Sequence, residues 1–182
     1  MTLKDLYYKM MRDFGNQREL VSVNYSCAFD DYKDAIVQSN NLFNDVKNDV
    51  LITRKANELH FHNFLKHQLF SRLQEIKYYS EVNIFDTRRL VSVSSDCITS
   101  IQILVRDEIH INVYFRSSDF DGALPADLLL LANLPTDLIE HSQTFIGVPG
   151  YEEINPESIN TLKEKPIHLN LMFGSLHRTN NE

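Results

Sequence analysis

The residue types that could perform chemistry are concentrated between positions 96 and 127. In chain order this stretch contains a thiol at Cys97, a guanidinium at Arg116 and a carboxylate at Asp127. A cysteine thiolate is a nucleophile, and the planar fork of an arginine suits a phosphate group. A carboxylate in the first turn of an apolar helix must be paired, because burying an unpaired charge is costly. The three residue types predict a site where a thiol meets a phosphorylated ligand.

These residues belong to a longer ordered pattern. Cys97 is followed by Gln102, by Arg116-Ser117-Ser118-Asp119 and by Leu124-Pro125-Ala126-Asp127. The order and spacing resemble the thymidylate synthase and deoxycytidylate hydroxymethylase family, which has a reactive cysteine, an Arg-Ser-x-Asp motif and a Leu-Pro-x-Asn or Leu-Pro-x-Asp helix start. Two weaker matches flank the pattern, Thr87-Arg88-Arg89-Leu90-Val91 and Gly174-Ser175-Leu176-His177. The resemblance covers roughly residues 60–182.

The resemblance implies both a fold and an activity. The fold is α+β, a thymidylate-synthase-like mixed sheet packed with helices around one buried helix, in a single domain over residues 1–182. The activity is transfer of a one-carbon unit to C5 of a pyrimidine deoxynucleotide monophosphate through an adduct of Cys97 at C6. Methylenetetrahydrofolate is the implied donor, the implied assembly is a homodimer, and no metal is expected.

The resemblance also distributes the binding roles. It assigns phosphate binding to Arg116, Ser117, Arg88 and Arg89, base binding to Asp127, Asp119 and Gln102, and sugar binding to His177. Asp127 favours dCMP over dUMP, because a carboxylate only accepts hydrogen bonds and matches the amino group of cytosine. The family's uridylate-specific members have Asn there. Arg88 and Arg89 are expected to reach the phosphate across the dimer.

The chain departs from the family pattern at several positions. It has no tryptophan, Ile98 follows the cysteine, and Arg178 and Thr179 stand where the family has a sugar-binding tyrosine. Glu58 lies in the region of the family's catalytic glutamate without its flanking motif. A second hypothesis is therefore a nucleotide-binding relative without folate chemistry, acting as a sensor, sequestering protein or regulatory subunit. A third is an interaction module in which the match is accidental.

Structural roles compete with the functional ones. Cys97 at a strand start could be a small buried apolar residue. Arg88 and Arg89 could keep a sheet edge soluble, Asp119 could be a turn residue, and Asp127 could cap its helix.

Composition excludes several function classes. The 182 residues carry a net charge of −7, which argues against a basic face for nucleic acid. No stretch approaches the roughly 20 apolar residues of a membrane span. The two cysteines, Cys27 and Cys97, are too few for a disulfide framework and indicate a reducing compartment. We expect a cytoplasmic protein whose partners are a nucleotide and a second copy of itself.

Hydrophobic periodicity predicts the elements that position the candidate residues. Helical spacing predicts helices over residues 3–14, 31–46 and 55–79, with a strand over 20–29 after the first helix. From residue 88 the pattern alternates, which predicts strands over 88–106 and 109–115 joined by a tight turn. The apolar segment 124–134 predicts a buried helix, and strands are predicted over 144–148 and 166–176. This order is typical of an α+β fold with a mixed or antiparallel sheet.

Overall fold

A five-stranded sheet forms the centre of the fold. The computed structural model describes residues 1–79, 91–93 and 96–179. The strands are β1 (Glu19–Phe29), β2 (Val91–Val93), β3 (Ile98–Val105), β4 (Ile109–Asp119) and β5 (Ile167–His177). The helices are α1 (Leu3–Phe14), α2 (Tyr32–Arg54), α3 (Glu58–Tyr79), α4 (Leu124–Gln143) and α5 (Pro156–Lys163).

The sheet is mixed. Its strand order is β1-β5-β4-β3-β2, with β4 and β5 parallel and the other neighbours antiparallel. A parallel pair needs a crossover connection, and the segment containing α4 and α5 provides it. The predicted α+β class with a mixed sheet is confirmed, and so is the tight turn that joins β3 to β4.

One face of the sheet carries the core. Along β4 and β5, Ile111, Val113, Leu169 and Leu171 alternate with more exposed residues and have no exposed surface. Neighbouring Phe115 and Phe173 stack with ring centroids 4.5 Å apart. Each buried side chain of this kind contributes roughly 1.5–3 kcal/mol, so this double row holds β4 firmly against β5.

α4 is apolar on nearly all sides and is buried between its neighbours, α2 and α3. It begins as predicted but continues through Pro135 to Gln143. Leu138 and Ile139 are buried, so the apolar surface of the helix extends beyond the predicted end. Proline lacks an N–H and removes one helical hydrogen bond, and packing on both sides maintains the helix through this point.

Four other segments differ from the prediction. The single strand predicted over residues 88–106 is wrong, because β2 and β3 are separate strands that pair antiparallel with each other. The strand predicted over residues 144–148 is wrong, because the segment forms turns in which the N–H groups of Phe145 and Ile146 donate to oxygens at the end of α4. The polar stretch before β5 contains α5, which begins at an Asn155 capping box. α2 begins at the predicted Asp31 cap but runs roughly two turns further than predicted. None of the helices described is long and apolar enough to cross a membrane.

Candidate functional site

A cavity of about 450 Å³ lies where the start of β3 and the end of β4 meet α3 and α4. Cys97, Arg116 and Asp127 all line it. The other lining residues are Phe64, Leu65, Gln68, Asp96, Ile98, Ala123, Ala126 and Leu130. A cavity of this volume is in the range that holds one small organic ligand. The fold therefore brings together three chemically capable residues that are distant in the chain.

The register of the β3–β4 hairpin places Cys97 beside Arg116. Ile98 pairs with Phe115, and the N–H of Arg116 donates to the carbonyl oxygen of Cys97 at 2.9 Å. The register shifts between Ile98 and Ser100, directly after the thiol. A register shift of this kind changes the direction of the side chains next to it. The side chain of Cys97, at the start of β3, can therefore face the cavity.

The two thiols of the chain have opposite environments. Cys97 is exposed at the cavity, whereas Cys27 is buried in β1. Burial raises the pKa of the Cys27 thiol to about 12, because an apolar environment disfavours the thiolate. Cys27 is thus an inert core residue, and Cys97 is the thiol that a ligand can reach.

Gly174 of β5 permits the close approach of β5 to β4 at Arg116. A Cβ atom at this position would lie 2.7 Å from the carbonyl oxygen of Arg116 and 3.2 Å from the hydroxyl of Tyr114. The distance of 2.7 Å is too short for any side chain at position 174. The carbonyl oxygen cannot easily move away, because it belongs to the backbone. The glycine therefore sets the position of the strand segment that carries the arginine.

Asp127 lies one turn inside α4, half-buried at the cavity wall. Its backbone N–H already donates to the carbonyl oxygen of Ala123, which is the N-cap residue and has no side-chain cap. The interpretation of Asp127 as the helix N-cap is therefore wrong. A carboxylate in the first turn is favoured by the partial positive charge of the helix start, typically by about 0.3–1 kcal/mol.

α3 provides the wall opposite α4. Phe64 and Gln68 are four residues apart and both half-buried, so they lie on the same side of the helix and face the cavity. Sequence reasoning assigned neither of them to the site. The periodicity of α3 showed that Phe64 faces inward, but it carried no information on which strands or helices it would meet.

Four predicted site residues lie away from this cavity. Gln102 is on the sheet face opposite the core and accepts a long hydrogen bond from Asn112 Nδ2 at 3.4 Å. Ser117 pairs with Ser175 between β4 and β5, and Asp119 pairs with His177 at the end of the same two strands. Arg88 and Arg89 lie outside the described residues.

The end of β4 is stabilised by local contacts around Asp119 and Asp121. Asp119 accepts from the N–H of Asp121 at 3.2 Å and from the hydroxyl of Thr179 at 2.8 Å, which is the pattern of a turn residue. Arg178 donates to Asp121 through Nε and Nη2, with the shortest distance 2.9 Å, and its guanidinium lies over the rings of Phe14 and Phe120. Arg178 thus fastens the end of β5 to this turn.

The described lining contains charges of both signs. Arg116 supplies a guanidinium, and Asp96 and Asp127 supply carboxylates. Within the described residues, no group of three or more histidine, cysteine or carboxylate side chains is placed to hold a metal ion.

Comparison with known proteins adds no family assignment. No protein-family model matches the chain, and no curated protein matches it. The resemblance to the thymidylate synthase and deoxycytidylate hydroxymethylase family therefore rests on the motif residues themselves, and the function has to be argued from the site.

Proposed function

We propose that this protein binds a pyrimidine deoxynucleotide monophosphate, with dCMP preferred over dUMP, and activates C5 of the base through addition of Cys97 to C6. This is the activation step of a C5 one-carbon transferase of the hydroxymethylase or synthase type. The observation that supports it is the joint presence of Cys97, Arg116 and Asp127 on one cavity of about 450 Å³.

Each of the three residues has a distinct task in this proposal. The thiolate of Cys97 adds to C6, which breaks the C5=C6 π bond and makes C5 nucleophilic. Arg116 binds the 5′-phosphate with its paired donors. Asp127 accepts a hydrogen bond from the exocyclic amino group of cytosine. Phe64 adds an aromatic surface against which a flat base can pack.

The described lining supports the binding of one nucleotide. Phe64 is the single aromatic residue among the lining residues that the structure describes, and the cavity volume suits one ligand. Methylenetetrahydrofolate has two further ring systems that need apolar walls. The step proposed here therefore uses only the residues of this chain and water, and the folate requirement is tested separately.

The proposed step has a direct assay without any cofactor. When Cys97 adds to C6 of dCMP in D₂O, C5 takes up a deuteron from the solvent. Loss of the original proton from C5 and departure of the thiolate then restore the C5=C6 bond. The net change is exchange of hydrogen for deuterium at C5, seen by proton NMR as loss of the H5 signal. We expect exchange at least tenfold faster than in buffer.

The two cysteines provide a matched pair of variants. Cys97→Ala is expected to bind dCMP and to abolish exchange, whereas Cys27→Ala removes a thiol that cannot reach the cavity and is expected to retain exchange. Exchange that persists in Cys97→Ala, or failure to bind dCMP at millimolar concentration, contradicts the proposal. If exchange occurs, methylenetetrahydrofolate is added to test the one-carbon transfer. The mass of the nucleotide product, measured by mass spectrometry, shows whether a one-carbon unit has been added.

A second candidate is a nucleotide-binding protein that performs no chemistry. The absence of tryptophan from the sequence and the single aromatic residue of the described lining favour it. It predicts tight binding of dCMP by the unmodified protein, no exchange at C5 and equal affinity in Cys97→Ala. Calorimetry on the same two variants therefore separates the two candidates.

A further inference from the structure

A second cavity, of about 440 Å³, lies between α3 and α4 on the far side of Leu65. Leu65 is the one described residue that lines both cavities. The remaining lining consists of His62 and Lys66 from α3, and Asn133, Thr136, Asp137 and Glu140 from α4. Residues on each helix are three or four positions apart, so each helix presents one side to the cavity.

Two polar groups of the α4 wall lack the partners that such groups normally have. The hydroxyl oxygen of Thr136 is buried without a hydrogen-bond partner among the described residues. Asp137 is half-buried, and the structure describes neither a hydrogen bond nor an ion pair to its carboxylate. Polar groups removed from water are costly unless they are paired, and unpaired ones call for an explanation. A ligand that carries donors would satisfy the carboxylate of Asp137, which lines the cavity.

The two walls have opposite charge. Lys66 faces the cavity from α3 and is exposed, as is His62, which also contacts Glu58 at 3.8 Å. Asp137 and Glu140 face it from α4. No ion pair joins Lys66 to either carboxylate in the part of the chain that the structure describes, so the opposite charges are separated by the cavity.

We propose that this second cavity binds a small zwitterion of the amino-acid type. Its ammonium group donates to Asp137, and its carboxylate is bound by Lys66 with His62 beside it. The proposal is independent of nucleotide binding at the first cavity.

The electrostatics of Asp137 add a pH signature. Burial raises the pKa of the Asp137 carboxyl to about 6, with Glu140 adding to the increase and Lys66 opposing it. At pH 7 the carboxylate is mostly ionised and can accept from an ammonium group. Below pH 6 it takes up a proton, so affinity for the zwitterion falls by about tenfold per pH unit. His62 faces the same cavity, so the profile is measured in a His62→Gln variant.

The probes are ω-amino acids from glycine to 6-aminohexanoate, which vary the distance between ammonium and carboxylate. Butylamine and butyrate each carry one of the two charges. Calorimetry at pH 7.5 is expected to show binding of at least one member of the series, at least tenfold tighter than either single-charge compound. The zwitterion assignment is overturned if butylamine binds as tightly as the best ω-amino acid. It is also overturned if no probe binds at 10 mM, a concentration well above the dissociation constant expected of a functional site.

Matched variants test the assigned contacts. Asp137→Asn and Lys66→Met are each expected to lower the affinity for the best-binding ω-amino acid by at least tenfold. Glu153→Gln and Lys33→Met make the same charge changes at exposed positions away from the cavity and are expected to leave affinity unchanged. Equal affinity in wild type, Asp137→Asn and Lys66→Met overturns the proposal. dCMP affinity, measured in parallel, is expected to be the same in all of these proteins, which separates this proposal from the first.

Discussion

The close contact between β5 and β4 at Gly174 makes Gly174→Ala an informative substitution. The added methyl group would lie 2.7 Å from the carbonyl oxygen of Arg116, well inside van der Waals contact. The carbonyl group of Arg116 cannot rotate away without disturbing the parallel pairing of β4 and β5. The two strands must therefore separate by several tenths of an ångström. Overpacking of this kind costs roughly 1–3 kcal/mol.

An opposing effect has to be subtracted from this cost. Replacing glycine by alanine reduces the conformational entropy of the unfolded chain, which stabilises the protein by about 0.4–1 kcal/mol where the backbone tolerates it. The steric cost is the larger of the two. We therefore expect Gly174→Ala to lower the free energy of unfolding by about 1–2 kcal/mol, seen as a lower urea midpoint with an unchanged slope.

The same substitution also acts on the proposed site. Displacing the carbonyl oxygen of Arg116 shifts the strand that carries its guanidinium, and we expect the affinity for dCMP to fall by about tenfold, because phosphate binding depends on close positioning. Gly150→Ala is the matched control. Gly150 has φ of +89° and open space around it, so alanine there strains the backbone without touching the cavity. It is expected to reduce stability and leave dCMP affinity unchanged.

A Gly174→Ala protein that is as stable as wild type, or more stable, would refute the reasoning about the close contact. A protein that loses stability but binds dCMP normally would show that Gly174 has no part in positioning Arg116. Loss of affinity in both glycine variants would assign the effect to general destabilisation.

Three further predictions follow from other contacts. We expect a ten- to hundredfold preference for dCMP over dUMP, and Asp127→Asn should reduce or reverse it, because an amide can also donate to O4. Calorimetry with both nucleotides measures the ratio of the two affinities. An unchanged ratio would contradict recognition of the base by Asp127. The raised pKa of Asp137 makes the folded state bind a proton that the unfolded state releases, so stability should fall as pH rises from about 4 to about 6. Asp137→Asn should reduce the dependence of the free energy of unfolding on pH and stabilise the protein at pH 7 by about 1 kcal/mol, a value reduced because the carboxyl is partly exposed. Urea titrations at several pH values measure both effects. Arg178→Met should cost about 2 kcal/mol by removing the paired hydrogen bonds to Asp121, and a thermal midpoint equal to that of wild type would show that this clamp contributes nothing.

Local patterns in the sequence were sufficient to predict most of the elements. The apolar spacing of α1 and its stop at Gly15, the alternation of β3 and β4, and the apolar run that starts α4 each depend on residues a few positions apart. The errors arose where local pattern is ambiguous. Phe145, Ile146 and Val148 look like a strand, but no strand among the described residues pairs with them, and the chain there continues the end of α4 in turns.

The sequence by itself also identified the three cavity residues as candidates, because their types and order resemble a known motif. It did not determine which surfaces they would share. The resemblance assigned Gln102 to base binding, yet the alternation of β3 turns it to the sheet face opposite the core. Phe64 and Gln68 were not expected at the site, yet the packing of α3 against α4 places them there.

The second cavity shows most clearly what the tertiary structure alone decided. Nothing in the local sequence relates Lys66 to Asp137, and each reads as an ordinary charged residue on its own helix. Their relation depends on how α3 and α4 cross, which is determined by packing against α2 and the sheet across long sequence separations. The sequence determined most of the elements and the chemistry available on each of them, because those depend on neighbouring residues. The grouping of that chemistry into cavities depends on contacts between distant segments, and only the folded structure decided it.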